Sequence, residues 1–174
     1  MNGDKVRLRA VEPGDVDFIY QMENDPSIWH VGNTVVPFSR FQIEQYAVTS
    51  QHNIYAEKQL RLMIELKEPS QKGKTIGAID LYDFDPLHKR AGVGILILLE
   101  EREKGFASES LGLLIRYSFE ILMLHQLFCF ISPENIKSLQ LFEKHGFVKC
   151  GVKKDWRLKG GKWTDEVMFQ LINS

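Results

Sequence analysis

Arg102-Glu103-Lys104-Gly105-Phe106-Ala107 lies between an apolar run, Val93 to Leu99, and a helical pattern, Phe106 to Met123. A strand, a short cationic loop with one glycine and a helix together make a device for holding phosphate. Backbone N–H groups of such a loop converge on an anion, and the helix that follows adds its own unpaired N–H groups and its dipole. Gly105 permits a positive φ and a close approach of backbone to ligand. Small Ala107 keeps the first helical turn open. The spacing Arg-x-x-Gly-x-Ala lacks the Gly-Lys-Ser/Thr ending of an NTPase P-loop and the three glycines of a dinucleotide fingerprint. By itself the segment also reads as an ordinary strand-to-helix turn.

About thirty residues on, after a strand pattern from Gln126 to Ile131, the chain reads Asn135-Ile136-Lys137-Ser138-Leu139-Gln140-Leu141-Phe142-Glu143-Lys144-His145-Gly146-Phe147. Pro133 and Asn135 open a helix, with Asn135 as its N-cap. Ile136, Leu139 and Phe142 share one face, Gly146 ends the helix and Phe147 starts a strand. In this order and spacing the two segments resemble the acyl-CoA-binding half of the GNAT-superfamily N-acetyltransferases. The resemblance extends upstream to Thr75-Ile76-Gly77-Ala78-Ile79-Asp80-Leu81 and His88-Lys89-Arg90-Ala91, which are similar to the spermidine and ribosomal-protein N-acetyltransferase branch. It covers nearly the whole chain, well from residue 75 to 150 and weakly over 25 to 60.

The resemblance implies an acetyl-CoA-dependent N-acetyltransferase acting on a primary amine, either a polyamine-like small molecule or a protein N-terminus. It implies an α/β fold with a mixed, mostly antiparallel sheet of about seven strands, splayed between strands four and five and flanked by about four helices. Acetyl-CoA would be a co-substrate, and no metal is expected. The loop Arg102, Glu103, Lys104, Gly105, Phe106, Ala107 and Ser108 would take the pyrophosphate. The backbone of Ile95, Leu96 and Ile97 would take pantetheine as an added strand. Asn135 would reach the pantetheine arm, and Phe142 would pack on the thioester end. Gly92 and Gly94 suit a bulge that opens the gap, or close packing against Gly77 or a helix.

Two departures from the family pattern bear on the chemistry. A Tyr that many members use as an acid, four residues before the Gly of Gly-Phe, is Phe142 here. A Glu that often follows Arg-Arg-Ala on the fourth strand is Gly92. A free alkylamine has a pKa of roughly 10.4 and must lose a proton before it attacks. The candidates left for proton handling are Asp80, Asp83 and Tyr82, with His145 and Asp85 behind them. Asp80 is a mid-strand carboxylate between Ile79 and Leu81, against strand propensity. An exposed edge or a turn accounts for the same aspartates structurally. Phe142 and Gly92 together also fit a non-catalytic acyl-CoA-binding or sensor domain, and the loop alone would fit a nucleotide-phosphate-binding protein.

The rest of the chain reads as one domain, residues 1–174, ordered β-α-α-β-β-β-α-β-α-β-β. Val6 to Val11 is a strand, Val16 to Asn24 a helix, and Ser39 with Gln42 caps a helix reaching about Gln51. Leu60 to Leu66, Thr75 to Tyr82 and Ala91 to Leu99 are strands, and Lys159-Gly160-Gly161 joins two more. The segment Trp29 to Val36 is expected on the acceptor side. A net charge of −1 argues against nucleic acid and membrane as partners. The basic residues Lys149, Lys153, Lys154, Arg157, Lys159 and Lys162 read as a solvated face. Cys129 and Cys150 in strand patterns read as buried, reduced thiols. With no secretory pattern at the first residues, a cytoplasmic chain is expected. Self-association into a homo-oligomer is left open.

Overall fold

Seven strands form one sheet: β1 Val6–Ala10, β2 Leu60–Leu66, β3 Thr75–Asp85, β4 Arg90–Ile97, β5 Gln126–Ile131, β6 Val148–Lys159 and β7 Lys162–Ile172. Their order is β1-β2-β3-β4-β5-β7-β6. The pairs β2–β3, β3–β4, β5–β7 and β6–β7 are antiparallel, and β4–β5 is parallel. Among the described residues five α-helices accompany it: α1 Val16–Glu23, α2 Arg40–Thr49, α3 Ile54–Glu57, α4 Phe106–Arg116 and α5 Ile136–Lys144. The structure is a computed structural model that describes residues 1–26, 28–29, 36–49, 53–67 and 73–173. Residue contacts divide the chain into two compact units, Met1–Arg9 with Ile54–Ser174, and Ala10–Asn53.

In the larger unit, alternation along the strands sends one set of side chains into a core and the other set to the opposite face. Ile79, Leu81, Val93, Ile97, Leu127, Cys129, Ile131, Val167 and Phe169 are buried, in one cluster with Leu111 and Leu114 of α4 and Phe142 of α5. The opposite face carries Asp80, Tyr82, Gly94, Leu96, Phe128 and Phe130, all only half-buried. Glu65 on β2 is 1% exposed and is held by Arg7 and Arg9 of β1, which ties those strands together.

The feature that shapes the site is the short life of the β4–β5 ladder. It consists of Arg90↔Gln126, Ala91↔Leu127 and Gly92↔Phe128. Beyond Gly92 the two strands part, while β4 continues along β3 as far as Ile97↔Gly77. The expected splay between the fourth and fifth strands is present.

In the smaller unit, a 3-10 turn at Pro13–Asp15 leads into α1. The Ser39–Gln42 capping box forms as expected: Ser39 N donates to Gln42 Oε1 at 2.8 Å and Gln42 N to Ser39 Oγ at 3.2 Å. Arg40 pairs with Asp17 at 2.7 Å and lies over the Tyr20 ring. The α2 boundary expected near Gln51 and most of the segment Trp29 to Val36 lie outside the described residues.

Some boundaries differ from the sequence reading. Strand β3 runs to Asp85 because Asp83 adopts φ 48° and bulges out, so Asp85 still pairs with Arg90. Strand β4 ends at Ile97, where Leu98 N donates to Ile76 O and a 3-10 turn follows at Leu99–Glu101. The helix expected to reach Met123 is α-helical only to Arg116. It continues as a π turn over Tyr117–Ile121, and Met123 at φ 53° ends it. Helix α3 was not expected. Cys129 is buried but Cys150 is exposed. No helix among the described residues is long and apolar enough to cross a membrane.

Candidate active site

The loop after β4 is built around two left-handed residues, Glu103 at φ 65° and Gly105 at φ 89°. A Cβ on Gly105 would meet only Lys5 Nζ, at 3.9 Å, so the backbone angle rather than crowding selects glycine there. The first bond within α4 runs from Glu109 N to Gly105 O at 3.1 Å. The amides of the first turn, Phe106, Ala107 and Ser108, therefore have no acceptor within their own helix, which is the condition a helix start must meet to receive an anion.

The loop's side chains are less free than its amides. Arg102 Nε donates to Ile97 O at 2.9 Å, which pins the loop to the end of β4. Glu101, nearly buried, takes Lys104 at 2.8 Å and Lys74 at 2.6 Å. The Lys104 hydrogen bond, and then that of Lys74, hold its carboxyl below the usual carboxylate range. Glu103 contacts Lys137 of α5, so an ion pair bridges the loop and the second helix.

Asn135 behaves as the N-cap of α5, its Oδ1 accepting from Ser138 N at 3.2 Å. Phe142 is 3% exposed and stands edge-on to Phe147 with ring centroids 5.0 Å apart. The structure thus places Phe142 in the core cluster, where a thioester would reach it only through rearranged packing. His145 caps the end of α5 and exchanges a 2.9 Å hydrogen bond with Ser108. Burial lowers its pKa. It lines a surface cleft of about 770 Å³ with Glu109, Arg116 and Lys144. His145 and Tyr82 are not brought together: the first lies between helices α4 and α5, the second on the sheet face turned away from the core.

On that face Asp80 is engaged by Arg61, Nε to Oδ1 at 2.8 Å and Nη2 to Oδ2 at 2.9 Å. Asp83 is exposed at the bulge. Asp85 accepts from His88 N and pairs with Arg90, and these bonds, led by that from His88, lower its pKa. Tyr82 stands edge-on to Phe128 at 5.8 Å, and Phe128 to Phe130 at 5.6 Å. Burial pushes the Tyr82 phenol far up.

The strip continues to residues that sequence reasoning had set on a solvated face. Lys153 Nζ sits 3.5 Å from the Phe130 ring centroid and 4.6 Å from that of Trp156. Glu166, 3% exposed, takes Arg157 at 2.6 Å and Lys153 at 3.4 Å. The alternation Phe128-Cys129-Phe130 was the available signal for the strip. Nothing local announces that Glu166, on the next strand, neutralises Lys153 and Arg157. Two of the remaining basic residues pair at the surface, Lys154 with Asp165 and Lys159 with Glu134. Among the described residues no group of three or more His, Cys, Asp or Glu could hold a metal ion.

A half-open gap between parallel strands, an amide-lined loop at its end and a capped helix beside it fit a long ligand with an anionic middle and an amide-bearing arm. Comparison with known proteins agrees. The acetyltransferase (GNAT) domain model matches residues 5–148. The spermidine N(1)-acetyltransferase of Vibrio cholerae is 29% identical over 170 residues, 98% of this chain and 94% of that protein. An uncharacterized N-acetyltransferase p20 of Bacillus licheniformis is 29% identical, over 97% of this chain and 93% of that protein. Among solved structures, the Vibrio cholerae spermidine N-acetyltransferase in complex with CoA and spermine superposes with a TM-score of 0.84 at 27% identity, covering 98% of this chain and 96% of that one. The chain belongs to the GNAT acetyltransferase family and is an acetyl-CoA-dependent N-acetyltransferase.

Proposed function

We propose that the amine acceptor is polyamine-like, a small molecule with more than one ammonium group. The observation that carries this reading is the seat of Lys153. On the sheet face beside the gap, a primary ammonium already rests against the rings of Phe130 and Trp156 with the buried carboxylate of Glu166 behind it. Aromatic faces are the chemistry that holds alkylammonium ions, and with Glu166 already paired to Lys153 and Arg157 the carboxylate that meets an incoming one is the exposed Asp83. The similarity to proteins named for spermidine supports the same class.

In this reading the amides of Glu103 to Ser108, with Arg102 and Lys104 at the rim, hold the pyrophosphate. The unpaired edge of β4 at Ile95, Leu96 and Ile97 takes the pantetheine amides, and Asn135 flanks them. Phe142 supports the packing under the gap. Asp83, exposed at the bulge, draws an ammonium toward the site, and Asp80 acts through Arg61 as a fixed dipole on the acceptor face. The attacking nitrogen must be neutral, and its proton passes to water. Self-association of the chain goes with this reading, since one relative's structure is described as dodecameric and Trp156, Leu158 and Trp163 stand exposed on the terminal β6–β7 hairpin.

Release of CoA thiol over a panel of polyamines, amino sugars, amino acids and N-terminal peptides tests the proposal. Polyamines should exceed the others in kcat/KM by about tenfold or more, the scale of one well-placed ionic contact. Preference for a peptide N-terminus would overturn it.

A further inference from the structure

Tyr82 lies across β4. A Cβ built on Gly92 would stand 2.3 Å from Cε2 and 2.4 Å from Cζ of Tyr82, and one built on Gly94 3.9 Å from Cε1. Carbon atoms pack at about 3.5–4.0 Å, so residue 92 admits no side chain while the ring is there. Phe128 meets the same ring edge-on and is also the last β5 residue paired with β4. The phenol end therefore lies over β4 at the point where the two strands part, at the closed end of the gap. Its hydroxyl takes no hydrogen-bond partner among the described residues, and the side chain is only half-buried. A rigidly held ring with an unused donor at the head of a ligand gap is a site waiting for an acceptor atom.

We propose that Tyr82 donates a hydrogen bond to the sulfur of acetyl-CoA as the thioester breaks, with Gly92 as the positioning residue that admits the ring. The proposal rests on the pantetheine arm lying in the β4–β5 gap. In the step, the neutral amine nitrogen forms a bond to the acetyl carbon and the C–S bond breaks with its electron pair on sulfur. The proton released by nitrogen passes to water. Sulfur leaves as a thiolate bonded by the phenol O–H and is protonated from water afterwards. Because burial raises its pKa, the phenol keeps its proton where a thiol, ordinarily near 8.5, ionises. It steadies the charge without surrendering the proton.

The test needs no amine. CoA binding is measured by calorimetry at about pH 7 and about pH 9.5, on either side of an ordinary thiol pKa, with acetyl-CoA as the reference that has no titrating thiol. In the wild-type protein the affinity for CoA relative to acetyl-CoA should rise about threefold or more between the two, and in Tyr82→Phe it should not. With an amine substrate, Tyr82→Phe should lower kcat by about 10- to 150-fold, the value of one hydrogen bond to a charged group, with little change in KM for acetyl-CoA. Gly92→Ala should displace the ring and lose a similar factor. Adding it to Tyr82→Phe should cost little more, since both act through one hydroxyl. A wild-type affinity that ignores pH, or a Tyr82→Phe variant that keeps either the pH response or full kcat, overturns the proposal. The binding arm uses CoA alone, so a wrong acceptor class would leave it intact.

Discussion

Arg61 and Asp80 face each other as direct partners on β2 and β3, and the guanidinium grips both carboxylate oxygens. Their side chains are 16% and 20% exposed, so the pair is shielded from water on most sides. A carboxylate with both oxygens committed to a bidentate arginine has no oxygen left for a substrate and serves as a structural brace.

Asp80→Asn and Arg61→Ala should therefore behave alike. Each should destabilise the protein by about 1–3 kcal/mol, the cost of leaving a buried polar partner unmatched, and lower turnover by less than about tenfold. Denaturant unfolding and steady-state rates on the same preparations check this. A loss of about 10²–10⁴ in rate with stability unchanged would instead mark Asp80 as a general base.

Gly105→Val should leave the unfolding midpoint close to wild type, because nothing crowds the position, yet it forces a β-branched residue toward φ 89°. The loop should relax to a negative φ and re-aim the amides proposed to hold the pyrophosphate. Calorimetric affinity for acetyl-CoA should fall about tenfold or more, the scale of about 1.4 kcal/mol of lost loop geometry. Arg102→Ala removes the tether to Ile97 O, and the affinity it loses should depend on salt.

Phe142→Tyr places a hydroxyl inside the core against Phe147. With no partner there it should destabilise by about 1–3 kcal/mol, and turnover per folded molecule should not rise. A rise in kcat at unchanged stability would show that the ring edge reaches the gap.

Stability should fall in acid through Glu65. Arg9 and Arg7 hold its carboxyl below the ordinary value despite burial. A depressed folded pKa means that the stabilisation is fully present above the unfolded value, about 4.3. It is lost as pH drops through the lower folded value. The urea midpoint should be level near neutrality and decline below about pH 4.3, and Glu65→Gln should flatten that decline. A decline of the same steepness in the variant would assign it to other carboxylates.

The left-handed loop after β4 and the α5 cap were legible because each is local. A change of period from strand to helix, one glycine at a positive φ and an asparagine at a helix start are all written in neighbouring residues. The gap was legible only through family resemblance, since pairing that stops after Gly92↔Phe128 leaves no mark in either strand's composition. Register hides the rest. Tyr82, Gly92 and Phe128 are far apart in sequence and meet because of strand alignment, which a sequence pattern fixes only when a turn dictates it. Asp80 looked anomalous for the right reason, a charge within an apolar strand. Its partner Arg61 sits on another strand and could not be named. The Lys153 seat was misread as solvated surface because its carboxylate, Glu166, comes from β7.

The parting of β4 and β5 leaves a row of peptide groups unmatched in the interior of a sheet rather than at its rim. An unfinished ladder of this kind is completed by whatever extended chain lies along it, and in the proposed reading that chain is the pantetheine arm of acetyl-CoA. The folded state is then heaviest on the scales when the co-substrate is plentiful, by RT ln(1 + [L]/Kd). When it is scarce, the same strands present an open template to any stray peptide. Lifetime of the molecule and supply of its acyl donor become one variable, and amide exchange along Val93 to Ile97 is the dial on which to read it.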